Sequence, residues 1–317
     1  MTETNRRGNG LLSIVVPAMN EADNLPALLA AVAEALEPHS IPYELILVDD
    51  GSTDRTWSVI ADAAAQDDRV RGLRLSRNFG KEGAMFAGLS AVKGDCCVIS
   101  DADLQFPPAV IAEMYAIWQN GSVDIVEAKK RTRGKESLIY KLFTKTFYGL
   151  LRAMSGFDLN DASDFKLMDR RVLDALNEMP ERQTFFRGMS SWVGFHTETV
   201  LFDVQARNAG ASKFSPKKLV RMALSSIASF TSAPLQFVTA AGLIGILLSV
   251  ILGVFTIFHS FGRESVEMLC AALSVIGLFL SLIMIALGIL GYYLARIYEE
   301  LKHRPRYLIS ERTDRAS

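Results

Sequence analysis

Ile99-Ser-Asp-Ala-Asp-Leu-Gln-Phe-Pro-Pro108 leaves a short apolar run, Cys96-Cys-Val-Ile99, and passes through a turn that two prolines stiffen ahead of a helix. The run reads as a buried strand, so Asp101 and Asp103 fall at its carboxyl end. Neighbours along a strand alternate faces, and carboxylates two apart share one; hard oxygens so placed suit Mg2+ or Mn2+ bridging a diphosphate. Gln105 adds a neutral oxygen on the same side. Asp-Ala-Asp alone favours a plain capped turn, since such triplets are common in loops, and the flanking segments carry the decision.

Leu11–Pro17 reads as a strand followed by a helix over 24–36, and Tyr43–Asp54 as a strand ending in two carboxylates, followed by a helix to Ala65. Gly72–Leu75 and Cys96–Ile99 are two more strands, with a helix from Glu82 to Val92 between them. Strands alternating with helices predict an α/β domain with a parallel sheet, whose ligands bind at the carboxyl ends of the strands. Pro17–Glu21, Asp49–Asp54, Arg77–Lys81 and Asp101–Gln105 all fall at that edge. Neither Gly-x-Gly-x-x-Gly nor Gly-x-x-x-x-Gly-Lys-Ser/Thr occurs there. Without a glycine cradle, phosphates must be neutralised by a metal and basic side chains, an arrangement suited to a diphosphate leaving group.

With 317 residues, half of them hydrophobic and 22% charged, the chain suggests a soluble part joined to a membrane part. No Asp, Glu, Lys or Arg occurs from Met222 to Gly262 or from Met268 to Ala295. Spans are predicted at 235–258 and 268–295, each longer than the roughly 20 residues that cross a bilayer. Lys213, Lys217, Lys218 and Arg221 precede this hairpin and Arg296, Lys302, Arg304 and Arg306 follow it, so the positive-inside rule places both flanks in the cytoplasm. Two further helices, 138–154 and 215–230, mix large apolar residues with lysine and fit either a core or a bilayer interface. Lys129-Lys-Arg-Thr-Arg133 fits a loop closing over a diphosphate or a solvated charge run. Cys96, Cys97 and Cys270 offer no disulfide framework, the four histidines show no zinc spacing, and the N terminus has no signal-peptide pattern. A net charge of −1 says little about partners, and no nucleic acid is expected among them.

Val16-Pro-Ala-Met-Asn-Glu21, Val48-Asp-Asp-Gly-Ser-Thr-Asp54, Ser76-Arg-Asn-Phe-Gly-Lys81 and Asp101-Ala-Asp-Leu-Gln-Phe-Pro-Pro108 resemble the motifs of GT-A-fold family 2 glycosyltransferases. Asp164-Phe-Lys-Leu-Met-Asp-Arg170, Phe186-Arg-Gly188 and Arg207-Asn-Ala-Gly-Ala-Ser-Lys213 resemble, more narrowly, the polyprenyl-phosphate glycosyltransferases, a group that includes bactoprenol glucosyltransferases and dolichol-phosphate mannose synthases. The mannose synthases usually carry Ser-Gly-Phe-Arg where this chain has Ser163-Asp-Phe-Lys166, which shifts the resemblance toward the bactoprenol branch.

The resemblance implies a Rossmann-like nucleotide-sugar domain over 1–212, a juxtamembrane helix over 213–231, two spans within 232–296 and a cytoplasmic tail over 297–317. It implies inverting transfer of a sugar, with glucose expected, from a UDP-sugar to undecaprenyl or another polyprenyl phosphate. The product would serve cell-envelope or polysaccharide modification, and the enzyme would be a multi-pass protein of the inner membrane. Pro17, Glu21, Asp49, Asp50, Arg77, Lys81, Asp101, Ala102, Arg131 and Arg133 would hold the donor; Asp101, Asp103 and Gln105 would hold Mg2+ or Mn2+. Ser163, Arg207, Ser212 and Lys213 would receive the acceptor phosphate beside membrane lipid, and Asp103 and Asp164 would be catalytic.

Plainer readings stand beside these. Asp49–Asp54 also fits a turn capping the next helix, with ligand contact favoured for Asp50 and capping for Ser52. Asp164 also fits a loop residue paired to Arg170 or Arg171. A processive polysaccharide synthase would carry Gln-x-x-Arg-Trp, whereas Gln183-Thr-Phe-Phe-Arg187 has a different spacing and no Trp. A non-catalytic scaffold or transporter is the remaining alternative, and a homo-oligomer is left open.

Overall fold

The computed structural model describes residues 7–131, 163–181, 185–203 and 265–313, together with scattered helical positions between 238 and 254. It divides into two compact units, one of residues 1–216 with 305–317, the other of residues 217–304.

The first unit is built on an eight-stranded sheet with the order β7-β5-β6-β4-β1-β2-β3-β8. Its centre is β1 (Leu12–Ala18), parallel to β2 (Tyr43–Asp49) on one side and β4 (Cys96–Ile99) on the other. β2 is buried along its whole length, the expectation for a parallel strand covered on both faces. β3 (Val70–Leu75) extends the parallel set, so its carboxyl ends share one edge as the alternation of strands and helices predicts. β5 (Ile125–Lys130) and β6 (Lys166–Asp169) lie on the other side of β4, with β6 antiparallel to both β4 and β5. β7 (Thr197–Phe202) closes that side in parallel with β5.

Helices α1 (Leu25–Leu36), α2 (Thr56–Gln66), α3 (Lys81–Leu89) and α4 (Pro108–Gln119) connect the parallel strands or follow them. α1 buries Leu25, Leu28, Val32 and Leu36, one stripe at helical spacing. α3 lies against β1 and β2 so closely that a methyl group on Gly88 would overlap Val15, which leaves only glycine for that position. α5 (Arg170–Glu178) is capped by the Asp169 carboxylate, which accepts from the Arg171 amide, and α6 (Phe186–Trp192) precedes β7.

Two expectations are corrected here. The carboxyl-terminal residues do not form a separate tail: β8 (Ile309–Arg312) pairs antiparallel with β3, and Tyr307 Oη donates to Ser90 Oγ at 2.8 Å. A strand of Ile-Ser-Glu-Arg is too short and polar to announce itself, and only the open edge of β3 gives it a partner. Second, β4 ends at Ile99, so Asp101 and Asp103 lie in a turn rather than on strand backbone, and Leu104 reverses the chain with φ of 59°. Strand alternation therefore does not orient the two carboxylates.

In the second unit α7 (Ser265–Leu301) contains Val275–Leu301, which includes an 18-residue window with a mean hydropathy of 2.5 and is long and apolar enough to cross a membrane. Leu278, Met284 and Ile285 are among its largely exposed side chains, as expected of a surface meant for hydrocarbon rather than water. It is the one such helix among the described residues, and it continues beyond the expected end at Ala295. Most of the expected span 235–258 and both expected interfacial helices, 138–154 and 215–230, lie outside the described residues.

Candidate active site

The loops after β1 and β2 lock together through backbone donors. The Asn20 amide donates to Ser52 Oγ at 2.9 Å, the Glu21 amide to Thr56 Oγ1 at 2.9 Å and the Thr53 amide to Asn20 Oδ1 at 2.9 Å. Asn20 takes φ of 57°, a left-handed turn that asparagine tolerates better than most side chains. Ser52 thus joins two loops instead of capping α2. The capping bonds come from Asp54, whose Oδ1 accepts the Thr56 amide at 3.0 Å.

Asp49 and Asp50 are both buried, with different work. Asp49 Oδ1 accepts the Ser52 amide at 2.8 Å, while its Oδ2 lies 3.3 Å from Arg74 Nε, an ion pair without hydrogen-bond alignment. Both oxygens of Asp50 are taken by the loop after β3: Phe79 donates its amide at 2.7 Å and Gly80 at 3.0 Å. Burial pushes the Asp50 carboxyl up, and those two amides only partly offset it. Gly51 makes this approach feasible, with φ of +68° and room for a Cβ only 2.6 Å from the Arg77 carbonyl carbon. The sequence reading favoured ligand contact for Asp50; in this structure its oxygens shape the Arg77–Gly80 loop.

Four charged residues form one cluster. Lys81 Nζ, at the start of α3, lies 2.6 Å from Asp101 Oδ1 and 3.0 Å from Asp164 Oδ2. Asp164 takes two more bonds from Arg187, Nε to Oδ1 at 2.7 Å and Nη2 to Oδ2 at 3.1 Å, a bidentate fork. Burial opposes ionisation of Asp164, but Lys81 and then Arg187 outweigh it and hold the carboxyl well below its ordinary range. For Lys81, burial disfavours the charge, and Asp101 followed by Asp164 reverse that and hold the ammonium above its usual range. Behind them Glu82 accepts the Phe186 amide at 3.0 Å; burial, then the Asp164 charge, push its carboxyl up to about 7.

This corrects the plain reading of Asp164 as a partner of Arg170 or Arg171. Arg170 donates to the Val92 and Gly94 carbonyls, and Arg171 pairs with Asp124 at 2.6 Å and Asp169 at 3.3 Å. Arg187 was within a quoted motif but not among the expected site residues, because no local spacing announces a contact across 23 positions.

Asp103 is buried and its Oδ1 accepts the Gln105 amide at 3.2 Å; Ala102 is buried in the core. Phe106 stacks on Phe165 with centroids 4.7 Å apart, tying the Asp101–Phe106 turn to the residue after Asp164. As a cation site the donor chemistry fits: two carboxylates and one carboxamide are hard oxygens, and Asp101 already holds an ammonium. Among the described residues no group of three or more His, Cys, Asp or Glu side chains is gathered, so a divalent ion would need further oxygens from the donor's diphosphate or from water.

Pro17 sits in β1 opposite Val48, and Glu21 Oε2 accepts from Asn24 Nδ2 at 2.6 Å. Arg77 is exposed, with its guanidinium 4.2 Å from the Phe79 ring centroid. Arg131, expected at the donor, instead lies 3.5 Å from exposed Asp203. The Ser163 amide donates to Glu127 Oε1 at 3.0 Å, and its Oγ accepts the Phe165 amide at 3.1 Å. Arg133, Arg207, Ser212 and Lys213 lie outside the described residues.

A mixed sheet whose central strands β4, β1, β2 and β3 run parallel, with acidic loops at their carboxyl edge, defines a nucleotide-sugar-binding α/β domain. The profile of the family described as Glycosyl transferase family 2 matches residues 13–176, and the chain belongs to that family and is a glycosyltransferase. It is 40% identical over 302 residues to an uncharacterized glycosyltransferase of Synechocystis sp., covering 95% of both chains. It is 38% identical over 307 residues to the bactoprenol glucosyl transferase of Shigella phage SfX, covering 95% of this chain and 99% of that protein. In fold it is similar to glucosyl-3-phosphoglycerate synthase from Mycobacterium tuberculosis crystallised with Mn2+, UDP and glucosyl-3-phosphoglycerate. That likeness has a TM-score of 0.52 at 22% identity and covers 69% of this chain and 78% of the other.

Proposed function

We propose that the protein transfers one sugar, glucose in the first instance, from a UDP-sugar to a polyprenyl monophosphate, with inversion at the anomeric carbon. The observation that carries this reading is the Lys81–Asp101–Asp164–Arg187 cluster, which joins the diphosphate-side turn to an ionised carboxylate. Similarity to a bactoprenol glucosyl transferase over nearly the whole chain supports the lipid acceptor. The Mn2+ and UDP held by the structural neighbour support the donor class and the metal.

In this reading Pro17, Glu21 and Asp49 border the nucleoside, and Asp50 acts through the Arg77–Gly80 loop. Asp101, Asp103 and Gln105 would hold Mg2+ or Mn2+, which would supply stabilisation of the charge growing on the departing diphosphate. Asp164 is held too acidic to be an effective proton acceptor, and a phosphate acceptor is already anionic near neutral pH. Its work is therefore orientation, fixed by the Arg187 fork, so that the acceptor oxygen stays in line with the anomeric carbon. Lys81 and Arg187 also supply positive charge where two anionic substrates meet. Arg133, Arg207, Ser212 and Lys213 complete the phosphate-binding positions.

Connectivity supports a two-span membrane anchor. The chain leaves the catalytic unit at residue 216 and rejoins it at residue 305, where β8 enters the same sheet as β1. A segment that begins and ends on one side of a bilayer crosses it an even number of times. In this reading α7 is one crossing and 235–258 the second, and the basic residues on both flanks favour a cytoplasmic catalytic unit.

The test is a donor panel. Purified full-length protein in lipid nanodiscs containing undecaprenyl phosphate should convert labelled UDP-glucose, with Mg2+ or Mn2+, to a lipid-phosphate-linked sugar. Exclusive use of GDP-mannose, or transfer only to a growing polysaccharide, refutes the reading.

A further inference from the structure

Glu127 and Lys166 face each other in the register between β5 and β6, with Lys166 Nζ 3.2 Å from Glu127 Oε1. Both are almost fully buried, at 6% and 3% exposure. Taking two charges out of water costs several kcal/mol per ion, and well-packed apolar residues of the same volume often serve stability as well or better. What the pair is bonded to gives it another use. The Glu127 oxygen that meets Lys166 also accepts the amide of Ser163, the residue before Asp164, at 3.0 Å. Lys166 Nζ donates to Ser190 Oγ at 2.9 Å, and Ser190 Oγ donates in turn to the Arg187 carbonyl at 3.2 Å. One end of the pair thus holds the backbone that presents Asp164, and the other holds the turn of α6 that presents Arg187.

We propose that Glu127, Lys166 and Ser190 are positioning residues of the transfer reaction: this buried chain sets the register between the Asp164 segment and α6, and with it the direction of the Asp164 carboxylate. The fork between Asp164 and Arg187 tolerates little error, since two bonds at 2.7 and 3.1 Å must form together. α6 has only seven residues and no cap from its own N-cap side chain, so its placement depends on partners elsewhere in the fold: Glu82 at the Phe186 amide, and Lys166 at Ser190, which holds the Arg187 carbonyl. A buried charged chain has few alternative partners, so it specifies one arrangement. Lys129, 3.4 Å from Glu127 Oε2, brings the start of the basic segment 129–133 onto the same carboxylate. The inference rests on the orienting role assigned above to Asp164.

The experiment uses full-length protein in nanodiscs and three variants: Lys166→Met, the neutralised double Glu127→Gln with Lys166→Met, and Ser190→Ala. The single Lys166→Met removes the buried partner of Glu127 and leaves only the partly exposed Lys129 beside that carboxylate, so it should lower the melting temperature. The double variant keeps an acceptor for the Ser163 amide and removes both charges, so it should melt within a few degrees of wild type. Its kcat for lipid-phosphate glycosylation should fall at least 30-fold, with the UDP-sugar KM within twofold of wild type. Ser190→Ala, which leaves the ion pair intact, should lose about tenfold in kcat with the same unchanged KM. Hydrogen–deuterium exchange gives a readout independent of substrate: peptides covering 163–169 and 185–192 should exchange at least fivefold faster in the double variant, and those of β1 and β2 at the wild-type rate. Wild-type kcat in the folded double or in Ser190→Ala overturns the proposal, as does unchanged exchange at those two peptides. A donor KM rising in step with the loss of kcat also overturns it. Wild-type protein that does not glycosylate polyprenyl phosphate refutes the proposed function, and the exchange measurement then decides the positioning claim by itself.

Discussion

The fork between Arg187 and Asp164 lends itself to a double-mutant cycle. The perturbations are Asp164→Asn, Arg187→Gln and their combination. Asp164 is 8% exposed and accepts two charge-assisted hydrogen bonds from one guanidinium. Such bonds contribute about 1.5 to 3 kcal/mol each when the partner is charged. The Arg187 side chain is 36% exposed, and Asp164 keeps Lys81 when Arg187 is lost. Solvent screening and that second partner bring the expected coupling down to about 2 kcal/mol. For a domain of this size that corresponds to a melting temperature about 4 to 8 °C lower for Arg187→Gln. Asp164→Asn should cost more, because it leaves both Lys81 and Arg187 without their shared carboxylate. The assay is thermal unfolding of full-length protein in one detergent, followed by tryptophan fluorescence, with turnover measured on the same samples. The double variant should lose about 2 kcal/mol less than the sum of the singles. Simple additivity refutes the claim that the two side chains act as a unit, and Arg187→Gln at wild-type stability and turnover removes Arg187 from the site.

Glu82 is held up to about 7 against an ordinary 4.5, so the folded protein favours its protonated form; its contribution to stability is complete below pH 4.5 and lost as the pH rises toward 7. Glu82→Gln should remove that loss, and melting curves across this window that fall as steeply as those of wild type would contradict the assignment. Asp164 has the opposite sign: its carboxyl is lowered from 3.8, its contribution is present above that value and disappears at more acid pH, and the acid limb should vanish in Asp164→Asn. Chelation should stop turnover, and Asp101→Asn and Asp103→Asn should each lower it by orders of magnitude while the melting temperature stays close to wild type; activity persisting in metal-free buffer removes the cation. Truncation after Arg304 deletes β8 and uncovers the edge of β3, so the shortened protein should aggregate and melt earlier, as measured by size-exclusion chromatography and fluorescence. A reporter after Ser317 should be cytoplasmic and one at Gly262 on the opposite face; labelling of both on one face excludes the two-span anchor.

The central sheet was legible in the sequence because β1, β2 and β4 are buried along nearly their whole length and are mostly apolar, and because helical segments separate the strands. That pattern is local, and it sufficed to bring Pro17–Glu21, Asp49–Asp54, Arg77–Lys81 and Asp101–Gln105 to one edge. The apolar character of Val275–Leu301 was readable for the same reason, since a bilayer sets a length and a polarity that one segment must meet alone. Tertiary structure decided what depends on residues far apart. It joined Asp164 to Lys81 and Arg187, across separations of 83 and 23 positions, where adjacency had suggested Arg170 or Arg171. It gave Asp50 two loop amides to accept, because Gly51 lets the loop after β3 approach. It made residues 309–312 an edge strand, since four mostly polar residues acquire a ladder only when β3 offers an open edge. Hydrophobic periodicity records which face of a segment is buried; it does not record which charges meet, because an ion pair is selected by the geometry of the assembled fold.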